Sequence, residues 1–66
     1  MTQSERATLD LLGAVRDLRG RPLDLDEARD VCEHFDLLST FNRMRHAALQ
    51  SHGQIVIRGT EVELVH

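Results

Sequence analysis

Apolar residues recur at helical spacing through three stretches of the chain and then switch to strict alternation. Thr8, Leu11, Leu12, Val15 and Leu18 follow intervals of three and four and predict a first helix over about residues 4–19. Thr2 or Ser4 is placed to cap it, and Glu5 lies near its positive end. Gly20 is expected to end the helix, since Pro22 prevents its continuation. Gly13 costs about 1 kcal/mol relative to alanine within a helix, which suggests that a neighbouring helix approaches closely there. Leu25, Ala28, Val31, Cys32 and Phe35 form one face of a second helix over about 25–35, capped by Asp24 or Asp26. Asp30 and Glu33 stay outside this face, and Arg29 is spaced to pair with Glu33. A third helix is predicted over about 39–51, with Ser39 as its cap and Gly53 just beyond its end. Its inner face is Leu37, Leu38, Phe41, Met44 and Ala48.

The last segment has a period of two. A two-residue turn at Arg58-Gly59 between strands 54–58 and 60–65 pairs Ile57 with Thr60 and Ile55 with Val62. Ile55, Ile57, Val62 and Leu64 then share one face, while Gln54, Val56, Glu61 and Glu63 share the other. An isolated hairpin is marginal in water, so its apolar face is expected to lie on the helices. The expected fold class is therefore α+β: a three-helix bundle followed by a C-terminal β-hairpin, as one domain over residues 1–66. A domain of this size buries only about 60% of the surface its unfolded chain exposes. Every apolar stripe is needed, and Phe35 and Phe41, the only aromatics, are expected to anchor the core equally.

Charge changes this picture more than composition does. The net charge is −3, but it is unevenly spread. Residues 22–36 carry Asp24, Asp26, Glu27, Asp30, Glu33 and Asp36 against Arg29, whereas residues 37–60 carry Arg43, Arg45 and Arg58 and no acid. The molecule is a dipole, and such asymmetry says more about partners than the total. Hydrophobic residues at 41% make the chain too apolar for a disordered tail. With no Trp or Tyr, it lacks a stacking platform for single-stranded nucleic acid. The single cysteine, Cys32, rules out an internal disulfide. No apolar run approaches the ~20 residues of a membrane span, and residues 1–9 lack the pattern of a signal peptide. The expectation is a cytoplasmic protein without membrane contact.

Three helices followed by a hairpin form the order of a winged helix-turn-helix domain, and residues 24–65 resemble that superfamily. The resemblance rests on a short second helix, a tight turn at Asp36–Ser39, the junction Gln50-Ser51-His52-Gly53-Gln54-Ile55 and the tip Arg58-Gly59. Many members have a short strand between the first two helices, and here only Pro22-Leu23 could supply it. The resemblance implies a third helix in the major groove of duplex DNA and a hairpin beside the phosphates or in the minor groove. It assigns base-edge or phosphate contacts to Asn42, Arg43, His46 and Gln50, and the wing contact to Arg58. Arginine can read guanine, and Asn or Gln can read adenine, through paired hydrogen bonds.

Other chemistries find less support. Cys32 and His34 are two apart, and His46 and His52 six apart, which are not common zinc spacings. No metal site or other cofactor is expected. Without a glycine-rich phosphate loop, and with a pocket of ~300 Å³ hard to build at this size, no catalytic residue or small-molecule substrate is expected either. The rival to DNA is another protein. Asp26, Asp30 and Glu33 on the second helix could dock a basic surface. Val56 and Val65 on the hairpin could seed a homodimer through its edge.

Overall fold

The computed structural model describes residues 1–50 and 53–65. In chain order the elements are α1 (Gln3–Arg19), β1 (Leu23–Asp24), α2 (Leu25–His34), α3 (Leu38–Leu49), β2 (Ile55–Arg58) and β3 (Glu61–Leu64). The chain thus adopts the α+β fold with a C-terminal hairpin. The expected end of the third helix at Ser51 lies outside the described residues.

Local chemistry fixes the helix ends. Thr2 caps α1: its Oγ accepts from the Glu5 N–H at 3.1 Å, while its own N–H donates to Glu5 Oε1 at 2.9 Å. This reciprocal capping box satisfies two otherwise unpaired donors. Gly20 ends α1 in the left-handed region at φ 71°, its N–H donating to the Arg16 carbonyl at 2.8 Å. Of the two candidate caps for α2, Asp24 takes the position, and its N–H donates to Glu27 Oε1 at 3.3 Å.

The α2–α3 turn corrects two expectations at once. The Leu37 N–H donates to the Cys32 carbonyl at 2.8 Å, and the Asp36 N–H to the Glu33 carbonyl at 3.1 Å. That pair of bonds is a Schellman motif, with Asp36 as the left-handed residue at φ 59°. The reversal carries Leu37 onto the core and turns Phe35 outward, where it is 59% exposed. Phe35 is therefore not a core anchor. Its ring meets His34 edge-on at 5.4 Å between centroids. Because the reversal already delivers Leu37 to the cap of α3, the helix starts at Leu38. Ser39 lies within its first turn rather than capping it.

The hairpin register also differs from expectation. Ile55 pairs with Leu64, Val56 with Glu63, Ile57 with Val62 and Arg58 with Glu61. The turn is therefore Gly59-Thr60, not Arg58-Gly59. Two-residue hairpin turns of the primed types need a positive φ at their first central residue. Gly59 supplies it at φ 64°, whereas the expected register would have demanded it of Arg58. The slip is two residues, so each side chain keeps its face. β3 is the central strand, because β1 pairs with its other side through Leu23↔Val62 and Asp24↔Glu61. The short strand between the first two helices is thus present, one residue later than Pro22-Leu23.

The core is Leu12, Leu23, Ala28, Cys32, Phe41, Met44, Ile55 and Val62, each no more than 2% exposed. Leu18, expected on the inner stripe, is instead 87% exposed. It lies about 120° round the helix from Leu12. At Gly13 the close neighbour is the Leu64 side chain of β3 rather than a helix, since a Cβ there would meet Leu64 Cδ1 at 3.5 Å. Buried Thr8 is satisfied by its hydroxyl donating to the Ser4 carbonyl at 2.8 Å. Glu27 fastens α2 to the end of α1: it meets Arg19 Nε at 2.8 Å and the Arg21 guanidinium at 3.0 and 3.1 Å. The Arg21 hydrogen bonds hold its carboxyl below the ordinary range. Arg29 pairs with Asp26 at 3.4 Å rather than with Glu33.

Truncating Phe41 removes the largest fully buried side chain. Phe41→Ala is expected to cost about 3–5 kcal/mol. Phe35→Ala, at an exposed site, should cost less than about 1 kcal/mol. Urea titrations of both variants check this, and equal losses would contradict the placement of the two rings.

Candidate nucleic-acid interface

The outer side of α3 carries the residues expected to touch DNA. The inner positions Thr40, Phe41 and Met44 are buried, which turns Ser39, Asn42, Arg43, His46 and Gln50 to solvent as one stripe. The helix contains no acid. Arg43 is steadied by its own helix, Nη2 donating to Thr40 Oγ at 3.3 Å. Its charge also reaches the start of α1. The Glu5 carboxyl is held below its ordinary pKa chiefly by the Thr2 backbone N–H and hydroxyl, with smaller contributions that include Arg43. His46 and Gln50, one turn apart, meet through Nε2 atoms at 3.3 Å. With the Gln50 amide as donor, the imidazole must be unprotonated at that nitrogen. Arg45 is half-buried rather than fully presented.

Arg58 stands apart from this group. Its Nε donates to Glu63 Oε2 at 2.9 Å across the outer face of the hairpin. No hydrogen bond or ion pair among the described residues joins it to the α3 stripe. The Arg58 guanidinium is thus already engaged. Sequence reasoning also missed Leu49, which is 70% exposed at the margin of the stripe. A wheel placing it 80° from Phe41 was available to find it.

The residues of the alternative reading lie elsewhere. Asp26, Asp30 and Glu33 occupy the exposed side of α2, at spacings of four and three. Val56 and Val65 are exposed on the hairpin. They are not equivalent in the sheet: Val56 lies on edge strand β2, whereas Val65 follows central β3 and donates its N–H to the Gln54 carbonyl at 2.8 Å.

Two surface hollows of about 340 Å³ each are present, a size expected to be hard to build in so short a chain. One lies at the end of α1, lined by Arg16, Asp17, Gly20, Arg21 and Pro22. The other opens between the start of α1 and the base of the hairpin, lined by residues that include Leu9, Gln54 and Val65. Among the described residues neither brings a histidine or cysteine to its wall. Among the described residues no group of three His, Cys, Asp or Glu side chains is arranged to hold a metal ion. His52 lies outside the described residues. No described helix is long and apolar enough to cross a membrane.

Fold and surface together define a small α+β domain, three helices closed by a three-stranded antiparallel sheet, with an acid-free helix face on its exterior. Comparison with protein-family models, curated proteins and solved structures gives no match.

Cys32 is buried against the core, and desolvation pushes its thiol up to about 11 from 9.0. The folded state thus resists losing this proton. The associated stability is complete below pH 9 and lost as pH rises through about 11. A thiol-specific chromogenic reagent at pH 8 should react only as fast as the chain opens. Immediate labelling of the native protein would contradict this burial.

Proposed function

We propose that this chain is a duplex-DNA-binding module that lays α3 in the major groove. The observation that carries the reading is the α3 face itself: Asn42, Arg43, His46 and Gln50 are all exposed on one acid-free stripe. The chemistry of that stripe suits base edges, with Arg43 for guanine and Asn42 or Gln50 for adenine. Leu49 adds an apolar group suited to a thymine methyl. The element order, including the β1 strand, supports the winged-helix resemblance on which this docking rests. Arg58 serves as the wing contact by exchanging Glu63 for a phosphate. The acids of α2 repel the backbone, so the reading requires their stripe to face away from the duplex.

A second reading, a docking site for a basic protein surface, is favoured by one observation. Phe35 is an exposed aromatic at the end of the acidic helix, and exposed aromatics are frequent interface anchors. It supports α2 rather than α3 as the binding surface.

Titrating a mixed-sequence duplex by fluorescence anisotropy tests the first reading. Arg43, Arg45 and Arg58 offer at most three phosphate contacts, so log affinity should fall with log salt at a slope of about −3. Arg43→Glu is expected to weaken binding at least about tenfold without altering the thermal melt. No binding at ~20 mM salt would sink the DNA reading, because non-specific attraction is strongest there.

A further inference from the structure

The two edges of the sheet are unlike. β1 offers two residues, whereas β2 offers four. The backbone directions along β2 follow from its pairing. The Val65 N–H donates to the Gln54 carbonyl, and antiparallel ladders alternate bonded and non-bonded pairs. Gln54, Val56 and Arg58 therefore aim their backbone groups at β3. Ile55 and Ile57 aim theirs away, at the open edge. Among the described residues neither isoleucine exchanges a backbone hydrogen bond outside the hairpin.

Natural edge strands are usually guarded by proline, lysine, a bulge or an inward-pointing charge. β2 has no proline, lysine, bulge or inward-pointing charge, and its one charged residue, Arg58, stands at its last position. Its sequence is Ile-Val-Ile-Arg, its register with β3 is unbroken, and its inward residues are Ile55 and Ile57. Its one outward apolar residue, Val56, is 36% exposed and sits midway between the two isoleucines.

We propose that β2 is a self-association surface, on which a second copy of this chain adds its own β2 antiparallel about a two-fold axis through Val56. The register is dictated by the backbone. Ile55 faces the partner's Ile57, and Ile57 faces the partner's Ile55, so the two residues' N–H and C=O groups on each edge are all satisfied. Val56 faces the partner's Val56 in a non-bonded pair, the closer of the two kinds. The result is an isologous contact and a continuous six-stranded sheet. Charge permits it. Arg58 is the only ionised residue of β2 and falls opposite the partner's neutral Gln54. The two arginines lie at opposite ends of the contact, each already paired with its own Glu63. A second copy is favoured over an unrelated strand because this arrangement places like on like and leaves no edge group unpaired. The surface is small, so the association belongs to the weak class.

Sedimentation velocity over about 10 µM to 1 mM, without DNA, reads this independently of any nucleic-acid role. Mass should rise toward a dimer at the upper end. Val56→Lys, which places two ammonium groups at the axis, should leave a monomer throughout with an unchanged melt at low concentration. Val65→Lys, on the neighbouring segment and away from the edge, should still dimerise. As a second reading, mild oxidation of Val56→Cys should give a cross-linked dimer, because opposed residues of a non-bonded pair lie within disulfide reach. Arg58→Cys, about four residues from its own copy, should not. A chain that stays monomeric at every concentration, with Val56→Cys linking no faster than Arg58→Cys, would overturn the proposal. So would a dimer broken by Val65→Lys and not by Val56→Lys.

Discussion

The fold depends on one strand being paired on both sides. β3 holds Val62 between Leu23 of β1 and Ile57 of β2, and that row of apolar residues is where the sheet meets the core. A hairpin alone is marginal in water, and a two-residue strand more so. Each pairing is therefore stable only with the other in place. The ladder continues beyond the strands, since the Leu25 N–H donates to the Thr60 carbonyl at 2.7 Å. That bond ties the first residue of α2 to the hairpin turn. From there the Schellman bonds at Asp36 and Leu37 set the direction of α3. The orientation of the exposed α3 face is thus passed along a chain of backbone hydrogen bonds, beginning at the central strand.

Electrostatics follows the same frame. Glu27, at the first turn of α2, is gathered by Arg19 and Arg21 from the end of α1. Such exposed pairs contribute little stability singly, but this cluster joins the two ends of one tight turn. It also removes one acid from the free negative charge of α2. What remains outward is Asp26, Asp30 and Glu33, with Arg29 leaning back on Asp26. The acid-free α3 is the opposite case. Segregation by element, rather than net charge, gives this small surface two faces of opposite character.

Most of the architecture was legible because it rests on local rules. The helical spacings, Gly20 as a stop, Pro22 after it and the alternation beyond Gly53 each translate directly into an element. What was not legible depends on how chain reversals resolve. Phe35 fits the α2 wheel, yet the left-handed turn at Asp36 ends the wheel one residue too early to bury it. Asp36 tolerates that conformation because a short polar side chain can adopt it. Leu18 fits the spacing but lies at the margin of a face whose centre is Thr8 and Leu12. Placing glycine at the second central position shifts the hairpin turn by one residue and the strand register by two. The α3 stripe was legible from periodicity alone. The engagement of Arg58 by Glu63 was not, because it follows from a diagonal contact that the misplaced register had arranged differently.

Size sets the remaining constraint. The core of the described residues is eight buried apolar side chains, and the two hollows found lie at the surface. On the α3 and hairpin surfaces the exterior offers few cations to any one partner. Arg43, Arg45 and Arg58, the arginines of α3 and the hairpin, give limited phosphate attraction, and Arg58 is spoken for by Glu63. Affinity on that scale grows most readily by joining two units, because linked contacts add in free energy while the ordering cost of the second is reduced. The β2 edge is suited to that joining because it consumes none of the α3 stripe. Its backbone groups come from Ile55 and Ile57, and its one charged side chain stays on its own hairpin. A surface for a partner and a surface for a second copy can therefore coexist on 66 residues, because one is built from helix side chains and the other from strand backbone.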